Sequence, residues 1–184
     1  MLILASQSPR RFEILRQAGI PFVVRPADVD ESVQAGEHAP DYVQRVARQK
    51  ALAVESGPQD LVLGADTVVV IDRAILGKPK DQADAMRMLE LLSGRKHEVI
   101  TGICLRHDNE LRTDWATTQV SFIQLTPEEI CDYAASGEPM DKAGGYAIQG
   151  LASKFIERID GSYANVVGLP IELVYRRLRE WGYR

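Results

Sequence analysis

The sequence predicts an α/β fold: a mixed, twisted sheet with flanking helices. Three observations carry this expectation. All-apolar runs such as Leu2–Ala5 and Leu61–Leu63 read as short buried strands. Segments of helical periodicity alternate with such runs, the interleaving that marks α/β chains. Two long β-type runs, 97–105 and 111–125, flank the turn His107-Asp108-Asn109-Glu110 and add an antiparallel hairpin, so the sheet is mixed.

Each element has its own local cause. Ser8 before Pro9 is an N-cap followed by proline at the first helical position, and Gly19 closes that helix. Phe12, Leu15 and Ala18 form its expected core-facing stripe. Phe22–Val24 reads as a second strand, and 26–38 as a polar loop carrying Asp28, Asp30, Glu31 and Glu37. Pro40 opens a second helix with an apolar face of Tyr42, Val43, Val46, Ala47 and Leu52, leaving Lys50 on its polar edge. Strands at 61–64 and 67–71 are expected to flank a turn at Gly64-Ala65-Asp66. Asp81 caps a third helix, whose Ala85, Met88, Leu89 and Leu92 repeat at helical spacing. Thr126-Pro127-Glu128-Glu129 is a capping box opening a fourth helix that ends near Gly137. A glycine-rich loop over 141–151, a strand over 155–159 and a helix over 170–181 complete the reading.

Composition bounds the rest. With 184 residues, 45% hydrophobic and a net charge of -4, the chain suits one compact domain spanning 1–184, or at most a tight pair of subdomains. No apolar run approaches the ~20 residues a membrane helix needs. The arginines follow the apolar N-terminal run instead of preceding it, unlike a secretory signal. Cys104 and Cys131 show no metal-ligand spacing and read as small core side chains in a reducing compartment. The acidic balance argues against broad nucleic-acid binding, which needs a basic surface. Up to Arg25, however, Arg10, Arg11, Arg16 and Arg25 face only Glu13, which leaves room for a local anion site.

Several constellations could carry chemistry. In Ser6-Gln7-Ser8-Pro9-Arg10-Arg11 a strand runs into a helix N-terminus, whose free N–H groups and dipole favour an anion; two hydroxyls and two guanidiniums add donors for phosphate oxygens. The plainer alternative is a capped helix with solvated arginines. Asp28-Val29-Asp30-Glu31 offers hard oxygen ligands of the kind Mg²⁺ takes beside substrate phosphates, or is simply a solvated loop. Asp66 stands between two apolar runs, placed either to act on a ligand or to bond its own backbone in a turn. Lys50, and Lys78 in Gly77-Lys78-Pro79, are cations near these carboxylates in the chain, or ordinary surface lysines. The chain lacks GxxxxGK[ST] and GxGxxG. The inventory matches metal-assisted phosphoryl or nucleotidyl chemistry, where charge neutralisation dominates catalysis.

Together, Ala5-Ser6-Gln7-Ser8-Pro9-Arg10-Arg11, Val29-Asp30-Glu31, Arg48-Gln49-Lys50-Ala51, Gly64-Ala65-Asp66-Thr67-Val68-Val69, Gly77-Lys78-Pro79, Asp141-Lys142-Ala143-Gly144-Gly145-Tyr146, Ile148-Gln149-Gly150 and Val167-Gly168-Leu169-Pro170 resemble the Maf family of nucleoside triphosphate pyrophosphatases. Eight weak motifs in order, over residues 2 to 175, make a specific signal. The resemblance implies a fold similar to the inosine triphosphatases. Arg11, Thr67 and Gln149 look like the branch that hydrolyses dTTP and UTP; the sister branch, which takes 7-methyl-GTP, tends to differ at these positions.

The resemblance further implies roles. Asp66 would accept the proton of the attacking water, and Glu31 with Asp66 would hold a divalent metal cation, Mg²⁺, Mn²⁺ or Co²⁺. Ser6, Arg10, Lys50 and Lys78 would bind the triphosphate, while Arg11, Thr67 and Gln149 would set specificity. The Gln149 amide offers a donor and an acceptor, matching the O4 and N3–H of thymine or uracil. The expected partner is a small nucleoside triphosphate in the cytoplasm, with neither nucleic acid nor membrane, and dimers are frequent among such proteins. The alternatives are a pyrophosphatase for 7-methyl-GTP or other modified nucleotides, and a non-catalytic, nucleotide-binding regulator of cell division, since the resemblance carries a link to septation.

Overall fold

A computed structural model of the chain describes residues 1–183. Its elements are β1 (Leu2–Leu4), α1 (Pro9–Gln17), β2 (Val23–Val24), α2 (Ala39–Ala53), β3 (Leu61–Ile71), β4 (Ala74–Leu76), α3 (Gln82–Leu92), β5 (Lys96–His107), β6 (Glu110–Phe122), α4 (Pro127–Ala135), β7 (Ile156–Asp160), α5 (Tyr163–Val167) and α6 (Ile171–Glu180). The strands pair in the order β2-β1-β3-β5-β6-β7, with β4 beside β3. β1 runs parallel to β2 and β3, whereas β4 is antiparallel to β3 and β7 to β6, so the sheet is mixed. The chain divides into two compact units. One holds residues 1–67, 101–116 and the segment from Gly168 onward; the other holds 68–100 and 117–167.

In the first unit the strand period of two sorts side chains onto two covered faces. Leu2 and Leu4, Leu61, Leu63 and Ala65, and Ile103 and Leu105 pack with Leu15 of α1 and Leu173, Val174 and Leu178 of α6. The alternate residues Ile3, Ala5, Val62 and Cys104 pack with Ala47 and Ala51 of α2. Two glycines let α2 lie close on this second face. A Cβ at Gly64 would stand 2.1 Å from the Ala47 carbonyl oxygen, and one at Gly102 would stand 2.5 Å from the Val43 carbonyl. Asp66 shares the parity of Val62 and Gly64, so it points to the α2 side. Thr67 shares the parity of Ala65 and points to the α1 and α6 side.

The second unit has its own core. Met88, Leu89 and Leu92 of α3 and Ile130 and Tyr133 of α4 pack with Val69, Ile71, Val99, Val120, Phe122, Tyr146 and Phe155. The predicted caps are present. Asp81 accepts the Asp84 N–H at 2.8 Å, and Thr126 and Glu129 form the reciprocal capping box. The hairpin is there too, β5 and β6 being joined by Asp108 and Asn109 alone.

Several expectations are corrected. β3 is one strand, not two flanking a turn; Gly64 serves close approach of a helix, which sequence reading takes for turn chemistry. In α1 the buried pair is Arg11 and Leu15; Phe12 stays 43% exposed against the edge of Phe22, and Ala18 is exposed at the C-cap. Leu52 lies off the stripe of α2 and is exposed, while Lys50 falls on that stripe, three and four residues after Ala47 and Val46, and is buried. Cys104 is a core residue, but Cys131 is exposed on α4. The expected loop over 141–151 carries short 3₁₀ turns at Glu138–Asp141, Ala143–Gly145 and Leu151–Phe155. β4 and α5 have no counterpart in the sequence reading.

Candidate active site

Within the first unit, α2 and β3 bring two charges together. Lys50 Nζ lies 2.8 Å from Asp66 Oδ1, and both side chains are more than nine-tenths buried. The same ammonium lies 2.7 Å from Glu31 Oε1, whose side chain remains 42% exposed. Three formal charges therefore meet at one point, two negative and one positive. The loop bearing Glu31 is held there by α2. Tyr42 donates its hydroxyl to the Glu31 carbonyl at 2.7 Å, and Arg45 donates to the Ser32 carbonyl at 2.9 Å and to Glu37 Oε1 at 2.6 Å. Arg45 holds the Glu37 carboxyl below its ordinary pKa, whereas burial and the charges of Asp66 and Glu31 push the Tyr42 phenol up. Tyr42 therefore stays a hydroxyl and a donor.

On the other face of β3, Arg11 reaches in from the first turn of α1. Its Nε donates to the Gly168 carbonyl at 2.9 Å. Nη1 donates to the Ala65 carbonyl at 2.8 Å and to Ser6 Oγ at 3.1 Å, and Nη2 to Thr67 Oγ1 at 3.1 Å. Thr67 Oγ1 is also 2.9 Å from Thr101 Oγ1 and 3.3 Å from the Gly168 carbonyl. Burial lowers the Arg11 pKa, opposed by Asp66 and Glu31. The guanidinium stays charged under any ordinary condition. Most of its donors bind protein, so Arg11 ties the end of β1, the centre of β3 and the Gly168 turn into one frame.

Ser6 closes β1 and is buried; its Oγ also accepts the Ser8 N–H at 3.2 Å. Ser8 caps α1, accepting the Arg11 N–H at 3.4 Å, and half-buried Arg10 sits in that first turn. The helix N-terminus and its dipole thus open beside the buried Ser6 hydroxyl, an arrangement suited to an anion.

Lys78 and Gln149 belong to the second unit and are both exposed. The turn bearing Lys78 is braced by the Gly144 N–H, donated to the Gly77 carbonyl at 2.9 Å, and by the buried Pro79. Of the residues expected from the sequence, Ser6, Arg11, Glu31, Lys50, Asp66 and Thr67 are thus joined in one polar network of the first unit. Sequence reading missed Tyr42, Thr101 and the Gly168 carbonyl as members. Tyr42 looked like one more apolar face residue, and a backbone carbonyl carries no side-chain signal; only a buried hydroxyl's need for a partner could have hinted at either.

Asp66 and Glu31 also suit a divalent cation. Both carboxylates reach one positive centre, and Mg²⁺ commonly takes one or two carboxylates and fills its shell with water and phosphate oxygens. Among the described residues no group of three or more His, Cys, Asp or Glu could hold a metal by itself.

Comparison with known proteins gives a fold and a family. The structure is similar to a HAM1 protein from Coxiella burnetii, with a TM-score of 0.54 at 16% identity over 97% of this chain and 98% of that one. It is also similar to the Staphylococcus aureus Ham1 protein, with a TM-score of 0.51 at 13% identity over 97% and 98%. At such identities the likeness speaks for the fold alone, which is the α/β architecture expected. The family model described as Maf-like protein matches residues 1–181, and the chain belongs to that family. Its relatives include a dTTP/UTP pyrophosphatase of Koribacter versatilis, 53% identical over 98% of this chain and 94% of the relative. Another of that name, from Exiguobacterium sibiricum, is 52% identical over 98% and 92%.

Proposed function

We propose that this chain hydrolyses dTTP and UTP to the monophosphate and pyrophosphate, by metal-assisted attack of water on the α-phosphorus. The observation that carries the reading is the convergence of Asp66 and Glu31 on Lys50, beside a helix N-terminus lined by Ser6 and Arg10. The choice of substrate is supported by relatives of that name at 50–53% identity over nearly their whole length.

Asp66 is the proton acceptor. A carboxylate more than nine-tenths buried keeps few waters, so one held against it is oriented for attack. Asp66 and Glu31 would hold the divalent cation, which, when bound, neutralises phosphate charge and polarises the phosphorus. Lys50, Ser6 and Arg10 donate to phosphate oxygens. The Lys50 ammonium has three N–H donors, now aimed at Asp66, Glu31 and, at 3.5 Å, the Ala65 carbonyl, so a phosphate oxygen would replace the last and weakest of these. Arg11 and Thr67 act from the opposite face of β3 by fixing the strand that carries Asp66. Lys78 as a phosphate contact and Gln149 at the base edge are part of the same proposal. Two free cysteines, one of them exposed, suit the cytoplasm, and no helix among the described residues is long and apolar enough to cross a membrane.

The test is pyrophosphate release over a panel of dTTP, UTP, dCTP, dGTP and 7-methyl-GTP, with Mg²⁺ or Mn²⁺ and with chelator. Metal-dependent turnover of dTTP and UTP is expected. A silent panel in which dTTP still raises the melting temperature would make the protein a nucleotide-binding regulator. Turnover of 7-methyl-GTP alone would move it to the other branch.

A further inference from the structure

In the second unit, Gln149 lies two residues before an anchored point of backbone. The Leu151 N–H points between both carboxylate oxygens of Glu138, at 3.2 and 3.1 Å. Glu138 is itself held, since Tyr133 donates its hydroxyl to Glu138 Oε1 at 3.0 Å. Tyr133 is buried on α4, so the pair is fixed to the core of the unit. Gly137, at φ 76°, turns the chain so that Glu138 follows directly after that helix.

Gly150 makes the close approach possible. Its backbone, at φ 104° and ψ -153°, lies where side chains are rarely tolerated, and a Cβ there would stand 2.7 Å from Glu138 Oε2. Glycine at 150 and glutamate at 138 therefore complement each other, and the residue that leads into this anchored turn is the exposed Gln149.

We propose that Glu138, acting with Tyr133, is a positioning residue for base selection: by holding the backbone at 151 it sets where the Gln149 amide stands. The proposal deepens the reading of Gln149 as the residue at the base edge and rests on it. Glu138 itself touches no substrate. An amide that tells thymine from cytosine must present its oxygen and nitrogen in one register, so a segment free to shift by about 1 Å loses selectivity before it loses binding.

The experiment measures kcat and KM for dTTP and dCTP in the wild-type protein, Glu138→Gln, Glu138→Ala, Gln149→Ala and the double alanine variant, with melting temperatures alongside. In Glu138→Ala the ratio of kcat/KM for dTTP over dCTP is expected to fall about tenfold or more, the scale of a misplaced recognition group. Glu138→Gln should recover most of it, because its amide oxygen still accepts the Leu151 N–H. In the Gln149→Ala background, Glu138→Ala should leave the ratio unchanged, the signature of two residues acting through one contact. Tyr133→Phe, which keeps the ring and loses the hydroxyl, should also lower the ratio, and it decides the matter if Glu138→Ala does not fold. An unchanged ratio in Glu138→Ala with a lowered one in Gln149→Ala overturns the role of Glu138 alone. An unchanged ratio in Gln149→Ala overturns the base-edge reading and this inference with it. Equal losses from Glu138→Ala in both backgrounds would make Glu138 merely structural.

Discussion

The ammonium of Lys50 on α2 and the carboxylate of Asp66 on β3 meet at 2.8 Å, each side chain exposing less than a tenth of its surface. Burying two charges is costly, and the cost is offset only when geometry is close and the remaining polar atoms are satisfied. Here Glu31 and the Ala65 carbonyl, at 2.7 and 3.5 Å from the same ammonium, complete the arrangement. The pair ties the helix to the strand.

Asp66→Asn should therefore fold and fail as a catalyst. The amide keeps the shape and accepts from Lys50, but it cannot take a proton. Loss of a positioned general base lowers turnover by roughly 10²–10⁴-fold. Pyrophosphate release, with a dTTP-induced shift in melting temperature as the binding control, checks this. Turnover within a few-fold of wild type would remove Asp66 from its role.

Arg11→Lys should be far from conservative. A lysine can reach one or two of the acceptors offered by Gly168, Ala65, Ser6 and Thr67, but not all four at once. Leaving buried carbonyls unpaired costs about 1–3 kcal/mol each, so the urea midpoint should drop by the equivalent of a few kcal/mol. A midpoint unchanged in this variant would mean that the guanidinium does not hold the frame together.

Gly64→Ala should weaken both fold and site. A Cβ 2.1 Å from the Ala47 oxygen and 2.8 Å from the Ala51 nitrogen forces α2 away from β3, and overpacking of this kind costs about 1–3 kcal/mol or more. Because Lys50 rides on α2 and Asp66 follows Gly64 by two residues, turnover should fall more steeply than stability. Chemical denaturation and steady-state assays on the same preparation separate the two effects.

His97 predicts an acid-sensitive core. It is buried beside Phe122 and Tyr146, its Nε2 lies 2.7 Å from the Tyr146 hydroxyl, and burial lowers its pKa from 6.5 to about 4. Between these values the unfolded chain takes up a proton that the folded chain refuses. Stability from this group is therefore complete above pH 6.5 and is lost as pH falls toward 4. The total is about 3 kcal/mol at roughly 1.4 kcal/mol per pH unit. His97→Gln should be less stable than wild type at pH 7, and the gap should narrow by up to that amount at pH 4. Parallel stability curves over this range would refute the assignment.

Much of the architecture was legible in advance, for local reasons. Ser8, Asp81 and Thr126 announce helix starts because a cap bonds within three residues of itself. The apolar runs of β1 and β3 announce strands covered on both faces. The failures are equally instructive. Gly64 resembled turn chemistry, Lys50 a surface lysine, and Phe12 a core residue; each depends on an element distant in the chain.

What the sequence by itself determined, then, is the set of elements and the inventory of chemical groups, since propensity, capping and period are encoded within a few neighbouring residues. Only the tertiary structure decided which groups meet. Lys50 and Asp66 are 16 residues apart and Arg11 and Gly168 are 157 apart. A buried charge or carbonyl is tolerable only where such a partner arrives. Parity along β3 sends Asp66 to one face and Thr67 to the other, and the glycines at 64 and 102 let α2 come close enough for Lys50 to answer the carboxylate.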